Sequence, residues 1–321
     1  MNRKSTVLSN QIKRNVIIVA CVFLVIVVSC MIAMKPTMNT AAKSLHETKN
    51  DWIYYDACVQ DLKSGNYTSV DMFGEESDHS ERVVCEPDEK VSKMIEEARS
   101  ILREKYGKYK ELDWDNFEEM QFKGCDFGEN IAGVAALYDG DDNVIYYDSV
   151  GVLAKNDDRN IYTFVHELIH VLAPTSERTN IDEGLTAYLT NMAYPLDGSF
   201  TTYPFSTSII MRYLKNHDIR GAISDMRNGT LITKVEEDIG RPDVLKNTDD
   251  VYSALNSGMV NDDMARVAID IYIHYVANTG GIDNEATAQI NWLFRFLGDT
   301  RENQEAMEYF SKVLDASIRR K

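Results

Sequence analysis

The segment 159–173 constrains the fold most, because it combines a helical apolar pattern with two histidines one turn apart. It contains the sequence HELIH, in which His166 and His170 flank Glu167. At about 100° per residue, the two histidines lie on the side of a helix away from its apolar residues. The pattern therefore predicts a helix anchored in the core that presents two imidazoles on its other side. The apolar residues at three- and four-residue spacing are Ile161, Phe164, Val165, Leu168, Ile169 and Leu172.

Two imidazoles at this spacing can bind one Zn²⁺ ion, which takes histidine nitrogens at about 2.0–2.1 Å. The Glu167 side chain points to one side of the line that joins the two histidines, so it can act as a general base on water without binding the metal. A catalytic zinc ion needs three protein ligands, and Glu183 is predicted to be the third. It lies in the first turn of a predicted helix over 182–193, after a short reversal at 174–181. Asp182 is the alternative ligand, although it is also the expected N-cap of that helix.

The sequence HELIH followed by DEGLTAYL resembles the gluzincin zinc metallopeptidases, including bacterial families with an HExxH…EGxAxY signature. The resemblance covers residues 130–194 and, more loosely, the helical remainder of the chain. It implies a zincin-like peptidase in which His166, His170 and Glu183 bind one Zn²⁺ ion. It also implies that Glu167 is the general base of peptide hydrolysis.

The family implies three further features that the motif itself does not locate. An edge strand, 143–148, would pair with an extended substrate. Some gluzincins carry an acidic residue four positions after the third ligand, but this chain has Ala187 there, so the partner of a zinc histidine must come from elsewhere. A downstream tyrosine or histidine would stabilise the developing oxyanion, and Tyr252 lies at a plausible separation past Glu183. The other candidates are Tyr272, His274 and His217.

The order of the predicted elements indicates an α+β fold, because strands come first and helices follow. Apolar, β-branched and aromatic residues predict strands at 131–138 and 143–148, joined by a turn at 139–142, in a small and mostly antiparallel sheet. The aspartates of that turn lack the spacing of a calcium-binding EF-hand loop. Helices are predicted at 51–62, 88–106, 159–173, 182–193, 206–216, 249–257, 260–278, 285–298 and 302–318.

The N-terminal segment predicts an anchor in a membrane. Residues 16–34 form an apolar run of 19 residues with a single serine, which is about the length that a membrane-crossing helix needs. Because Lys13 and Arg14 precede it, we expect a cytoplasmic tail at 1–15, a transmembrane helix and an extracellular body. The alternatives are a lipoprotein signal, in which Cys30 would carry the lipid, and a cleaved signal peptide.

The remainder of the chain is predicted to divide into a tether with an accessory lobe at 35–115 and a metallopeptidase domain at 116–321. The chain has 51 acidic and 34 basic residues, a formal net charge of -17, which disfavours binding to nucleic acid and to anionic lipid surfaces. Three cysteines of the body, Cys58, Cys85 and Cys125, allow at most one intrachain disulfide.

Together these patterns predict a membrane-anchored, extracytoplasmic zinc metallopeptidase that hydrolyses peptide bonds. Its partners would be a peptide or protein substrate and the membrane, and not nucleic acid. Two alternatives stay open at this point. One is a non-catalytic surface module with a structural zinc site, and the other is a zinc hydrolase that acts on cell-wall amides.

Overall fold

The predicted N-terminal tail and anchor, 1–34, lie outside the residues that the structure describes. Among the described helices, none has the length and apolar character that crossing a membrane requires. The structure is a computed structural model, and the residues that it describes are 52–63, 84–127, 135–140, 142–150, 157–175, 178–196, 203–256 and 261–318.

Residues Trp52–Lys321 form one compact unit, which is α+β and mostly helical. Its strands are β1 (Val84–Cys85), β2 (Gln121–Cys125), β3 (Ala136–Asp139) and β4 (Val144–Asp148). Its α-helices are α1 (Ile53–Lys63), α2 (Glu89–Tyr106), α3 (Trp114–Glu119), α4 (Asp157–Leu172), α5 (Asn180–Ala193), α6 (Pro204–Tyr213), α7 (Ile219–Arg227), α8 (Leu231–Ile239), α9 (Asp249–Asn256), α10 (Asp262–Asn278), α11 (Asn284–Leu293) and α12 (Arg301–Ile318).

The sheet is mixed, with the strand order β1-β2-β4-β3. The outer pairs, β1–β2 and β3–β4, are antiparallel, whereas β2 and β4 are parallel with Gln121 opposite Val144. This order corrects one prediction. The strand at 143–148 was expected at the edge of the sheet, but it is β4 and lies inside, because β2 pairs with its second side. Among the strands that the structure describes, β3 lies at the edge next to β4.

Side-chain caps explain where several helices begin. Asp88 accepts the backbone N–H of Val91 at 2.8 Å and so starts α2. Asn261 does the same for α10 through Met264 at 2.8 Å. Each cap satisfies an amide that has no partner inside the helix, which stabilises the helix by about 1 kcal/mol.

Helix α10 forms the centre of the helical layer and contacts α1, α6, α8, α9, α11 and α12. Asp270 on this helix is fully buried and accepts the backbone N–H groups of Tyr54 and Tyr55, both at 3.2 Å. It therefore caps α1 from outside that helix. His274 lies 3.3 Å from the same carboxylate and stacks on Trp52, with ring centroids 4.2 Å apart. This buried contact ties the start of the compact unit to its central helix.

The contact between α5 and α6 depends on Gly184. A Cβ at this position would lie 2.7 Å from the carbonyl carbon of Ser206, closer than atoms that are not bonded can approach. We expect Gly184→Ala to lower the free energy of unfolding by about 1–3 kcal/mol, because overpacking outweighs the gain of about 1 kcal/mol in helix propensity. Urea unfolding measures the change.

The matched control is Gly221→Ala in α7, where the nearest atom to the added Cβ is a side-chain oxygen of Asp218 at 3.3 Å. This end of a side chain can move, so we expect the free energy of unfolding to change by less than about 1 kcal/mol. If Gly184→Ala is as stable as the unchanged protein, the close approach of α5 and α6 is not a constraint.

Candidate metal centre

Helix α4 carries the HELIH sequence and is buried on nearly every side. It contacts α2, α3, α5 and β3, so its second face is covered as well as its apolar face. The side chains at the centre are almost inaccessible, with His166 at 6%, Glu167 at 8% and His170 at 4% exposure. The amphipathic pattern correctly predicts the helix, and the structure adds that the polar side lies inside the protein.

Glu183 brings α5 to the two histidines. Its Oε2 atom lies 3.3 Å from Nε2 of His166 and 3.2 Å from Nε2 of His170. All three possible ligand atoms lie within 4.8 Å of one another, and the three residues are buried. Ligands held tetrahedrally at about 2.0–2.1 Å from an ion would be about 3.3 Å apart. The group can therefore bind a metal ion without a large rearrangement.

The charges of this group support one another. Burial alone would raise the pKa of Glu183, but the charges and hydrogen bonds of His170 and His166 lower it well below the usual value. Burial would lower the pKa of His166, but the hydrogen bond to Glu183 and the charges of Glu167 and Glu183 raise it. Glu183 is therefore held as a carboxylate, the form that binds a cation.

A capping box at the start of α5 selects Glu183 over Asp182. Thr179 is the N-cap, and its hydroxyl accepts the N–H of Asp182 at 3.3 Å. The Asp182 carboxylate in turn accepts the N–H of Thr179 at 3.0 Å and its hydroxyl at 2.9 Å. The expectation that Asp182 is the N-cap is wrong, because Asp182 occupies the third position of the helix. Its carboxylate turns back to Thr179, and Glu183 is left to face the histidines.

The second nitrogens of the two histidines have different surroundings. Nδ1 of His170 lies 3.5 Å from the hydroxyl of Thr186, which follows Glu183 by three residues in α5. Nδ1 of His166 is buried without a hydrogen-bond partner among the described residues. The sequence identified Ala187 where an acidic partner was expected, but it did not identify Thr186. Helical spacing from Glu183 was the signal that would have found it.

Glu167 is held by the backbone of the edge strand β3. Its Oε2 atom accepts the N–H of Tyr138 at 3.1 Å, and both groups are buried. This hydrogen bond fixes the carboxylate between α4 and β3 rather than with the two histidines. Sequence analysis could not find the contact, because the donor is a main-chain amide from a distant segment.

Tyr203 stacks on His166 and was not predicted. The two ring planes are 15° apart and their centroids 5.8 Å. Burial raises the pKa of Tyr203, and the charges of Glu183 and Glu167 and a hydrogen bond to Glu183 raise it further. The phenol therefore stays protonated at neutral pH and keeps a hydrogen to donate.

The backbone of Tyr203 is in the left-handed region, with φ 53° and ψ 52°, immediately before Pro204. Such a conformation costs a residue other than glycine about 1–2 kcal/mol. Asn256 stabilises the segment that follows, because its side chain accepts the N–H of Phe205 at 3.2 Å and donates to Ser206 at 2.8 Å. The start of α6 is thereby held against α9 with Tyr203 over the imidazole.

The residues suggested earlier for the oxyanion are elsewhere. Tyr252 is buried in the core, and burial alone raises its pKa, without any contribution from Glu167 or Glu183. His217 stacks on Tyr213 and pairs with Asp238 at 2.8 Å. Tyr272 and His274 are buried in α10, the latter against Asp270 and Trp52. The role of Tyr252 stays a prediction, and among the described residues Tyr203 is a tyrosine that stacks on a candidate metal ligand.

Neither the protein-family models, nor the curated proteins, nor the solved structures contain a match to this chain. His166, His170 and Glu183 form a buried group that can hold a metal ion.

Proposed function

We propose that the protein is a zinc metallopeptidase anchored to the membrane through residues 16–34, with its body outside the cytoplasm. The observation that carries the proposal is the position of Glu183, whose Oε2 atom is nearly equidistant from the two imidazoles of one helix. Two histidines and one carboxylate are a common ligand set of catalytic zinc. Within the described residues this group has three members, which leaves a fourth position for water or substrate.

Zn²⁺ held by His166, His170 and Glu183 would supply Lewis acidity to the carbonyl of a peptide bond and to the attacking water. Glu167 accepts the proton of that water as the carbonyl is attacked, and then delivers it to the leaving amine. The N–H of Tyr138 orients Glu167 for both transfers. The Tyr203 hydroxyl, which stays protonated next to His166, donates a hydrogen bond to the developing oxyanion in place of its hydrogen bond to Glu183.

The metal assignment predicts that the purified full chain, supplied with zinc, contains about one zinc ion per molecule. His170→Ala should lose it, because one of three ligands is removed. His217→Ala is the matched control and should retain zinc, since His217 contacts Tyr213 and Asp238. Metal analysis after gel filtration measures the content. Zinc retained by the His170 variant would contradict the ligand set.

The role of Glu167 predicts that Glu167→Gln keeps zinc but loses hydrolysis of denatured casein by several orders of magnitude. General acid–base catalysis typically contributes a factor of about 10²–10⁴, and glutamine can neither accept nor deliver the proton. The assay is chelator-sensitive release of peptides, followed by sequencing of the products. Full activity in this variant would remove Glu167 as the base.

The role of Tyr203 predicts that Tyr203→Phe lowers kcat by about 10²–10³, because one donor to the oxyanion is removed. Phenylalanine removes the hydrogen bond to Glu183 but keeps the stacking on His166, and Glu183 keeps both histidine contacts, so zinc should be retained. Tyr252→Phe is the matched control, and its kcat should stay within about threefold of the unchanged protein. The assignment fails if the two variants lose activity equally.

A further inference from the structure

Arg178 places a guanidinium group next to the candidate metal centre. It lies immediately before Thr179 and is partly buried. Its Nη2 atom donates to the carbonyl oxygen of Tyr138 at 2.8 Å, and its guanidinium carbon lies 5.5 Å from the centre of the Tyr138 ring. The N–H of the same residue, Tyr138, is donated to Glu167 at 3.1 Å. The guanidinium therefore lies at the segment of β3 that contacts Glu167.

Arg178 and Glu167 bind the two main-chain groups of one residue. The N–H of Tyr138 goes to Glu167 and its C=O goes to Arg178. In a strand these two groups point the same way, and here they point away from β4 to the open side of the sheet. A peptide substrate cannot pair with β3 at Tyr138 while both contacts exist. Side chains next to Glu167 can then contribute to recognition, and Arg178 is a cation at this place.

The guanidinium keeps donors for a ligand. It is positioned by a carbonyl and by an aromatic ring, and among the described residues no carboxylate lies within ion-pair distance of it. A guanidinium has five N–H donors in a planar fork that matches a carboxylate at two points. In a chain with a net charge of -17, a cation that has no acidic partner within the described part of the chain is available to an anionic ligand.

We propose that Arg178 binds a carboxylate of the substrate near the scissile bond. The proposal rests on the proposed peptidase function and adds the class of substrate. The carboxylate has two possible sources, the C-terminus of a peptide or the side chain of an aspartate or glutamate. The first source would make the protein a carboxypeptidase, whereas the second would make it an endopeptidase selective for acidic sequences. Arg178 is a residue of specificity, and the chemistry stays with Glu167 and Tyr203.

Binding can be measured without turnover in the zinc-loaded, full-length Glu167→Gln protein. The probes are acetylated hexapeptides based on casein segments, with every carboxylate replaced by an amide. In a second set one carboxylate is restored at the C-terminus, and in a third set one is restored as an internal glutamate. We expect one of the restored sets to bind about 10–100-fold more tightly than the first, the strength of a charge-assisted hydrogen bond. The set that gains affinity identifies the source.

Adding Arg178→Gln should abolish this gain and leave the affinity of the carboxylate-free peptides within about threefold. Glutamine can still donate to the carbonyl of Tyr138, so a purely structural role would survive. Arg178→Lys keeps the charge but not the fork, and it should retain only a part of the gain. The matched control is Arg220→Gln. The guanidinium carbon of Arg220 lies 4.7 Å from the centre of the Tyr109 ring, so this variant also removes an arginine from a tyrosine ring. It should keep the full gain in affinity.

The inference is overturned if neither restored set binds more tightly, or if Arg178→Gln weakens all three sets equally. If Arg178→Gln unfolds at a lower temperature, Arg178→Lys is used instead. A full gain in affinity in the lysine variant would contradict recognition of the carboxylate by the guanidinium group. Absence of casein cleavage by the protein with Glu167 intact would instead overturn the peptidase function. Because calorimetric binding needs no cleavage, the two failures are distinguishable.

Discussion

Two carboxylates and two imidazoles are buried together between α4, α5 and β3, and the surrounding structure must compensate their charges. An isolated charge inside a protein costs several kcal/mol, so such groups persist only when they are paired. Glu183 is paired with both histidines, and Glu167 accepts a main-chain N–H. A divalent cation bound between the ligands would displace the protons of the imidazoles and balance the charges of the two carboxylates. Much of the local architecture follows from holding these four groups in place.

The helices were predictable where the signal was local. The segment of α4 combines apolar residues at helical spacing with the HELIH sequence. Glu183 could be predicted because it lies in the first turn of the next helix. Prediction failed where the arrangement depends on distant segments. β2 joins β4 in parallel from more than 20 positions away in sequence, so the edge strand was assigned wrongly. Helices α7 and α8 were not predicted for a different reason. Each has only 9 residues, and so short an apolar pattern does not distinguish a helix from other structure.

The candidate site shows the same division. The sequence indicated the two histidines because helix geometry fixes their spacing, and Glu183 because it lies in the first turn of the next helix. It missed Tyr203 because no motif links it to α4, and the choice of Tyr252 rested on separation along the chain alone. The contact of Glu167 with Tyr138 could not be predicted, because the donor is a main-chain N–H that almost any residue type would supply. Arg178 was not identified because it lies in the short connection between α4 and α5, where the type of a residue says little about its contacts.

The short strand β3 has a further consequence, for the solubility of the protein. An exposed edge strand can pair with the edge strand of another molecule, which is a route to aggregation. β3 has four residues, and only Ala136 and Tyr138 direct their main-chain groups outward, since alternate residues face β4. Glu167 and Arg178 occupy those of Tyr138, which leaves one position and no continuous ladder. The same two contacts that shape the site thus also block strand pairing at the Tyr138 position of β3.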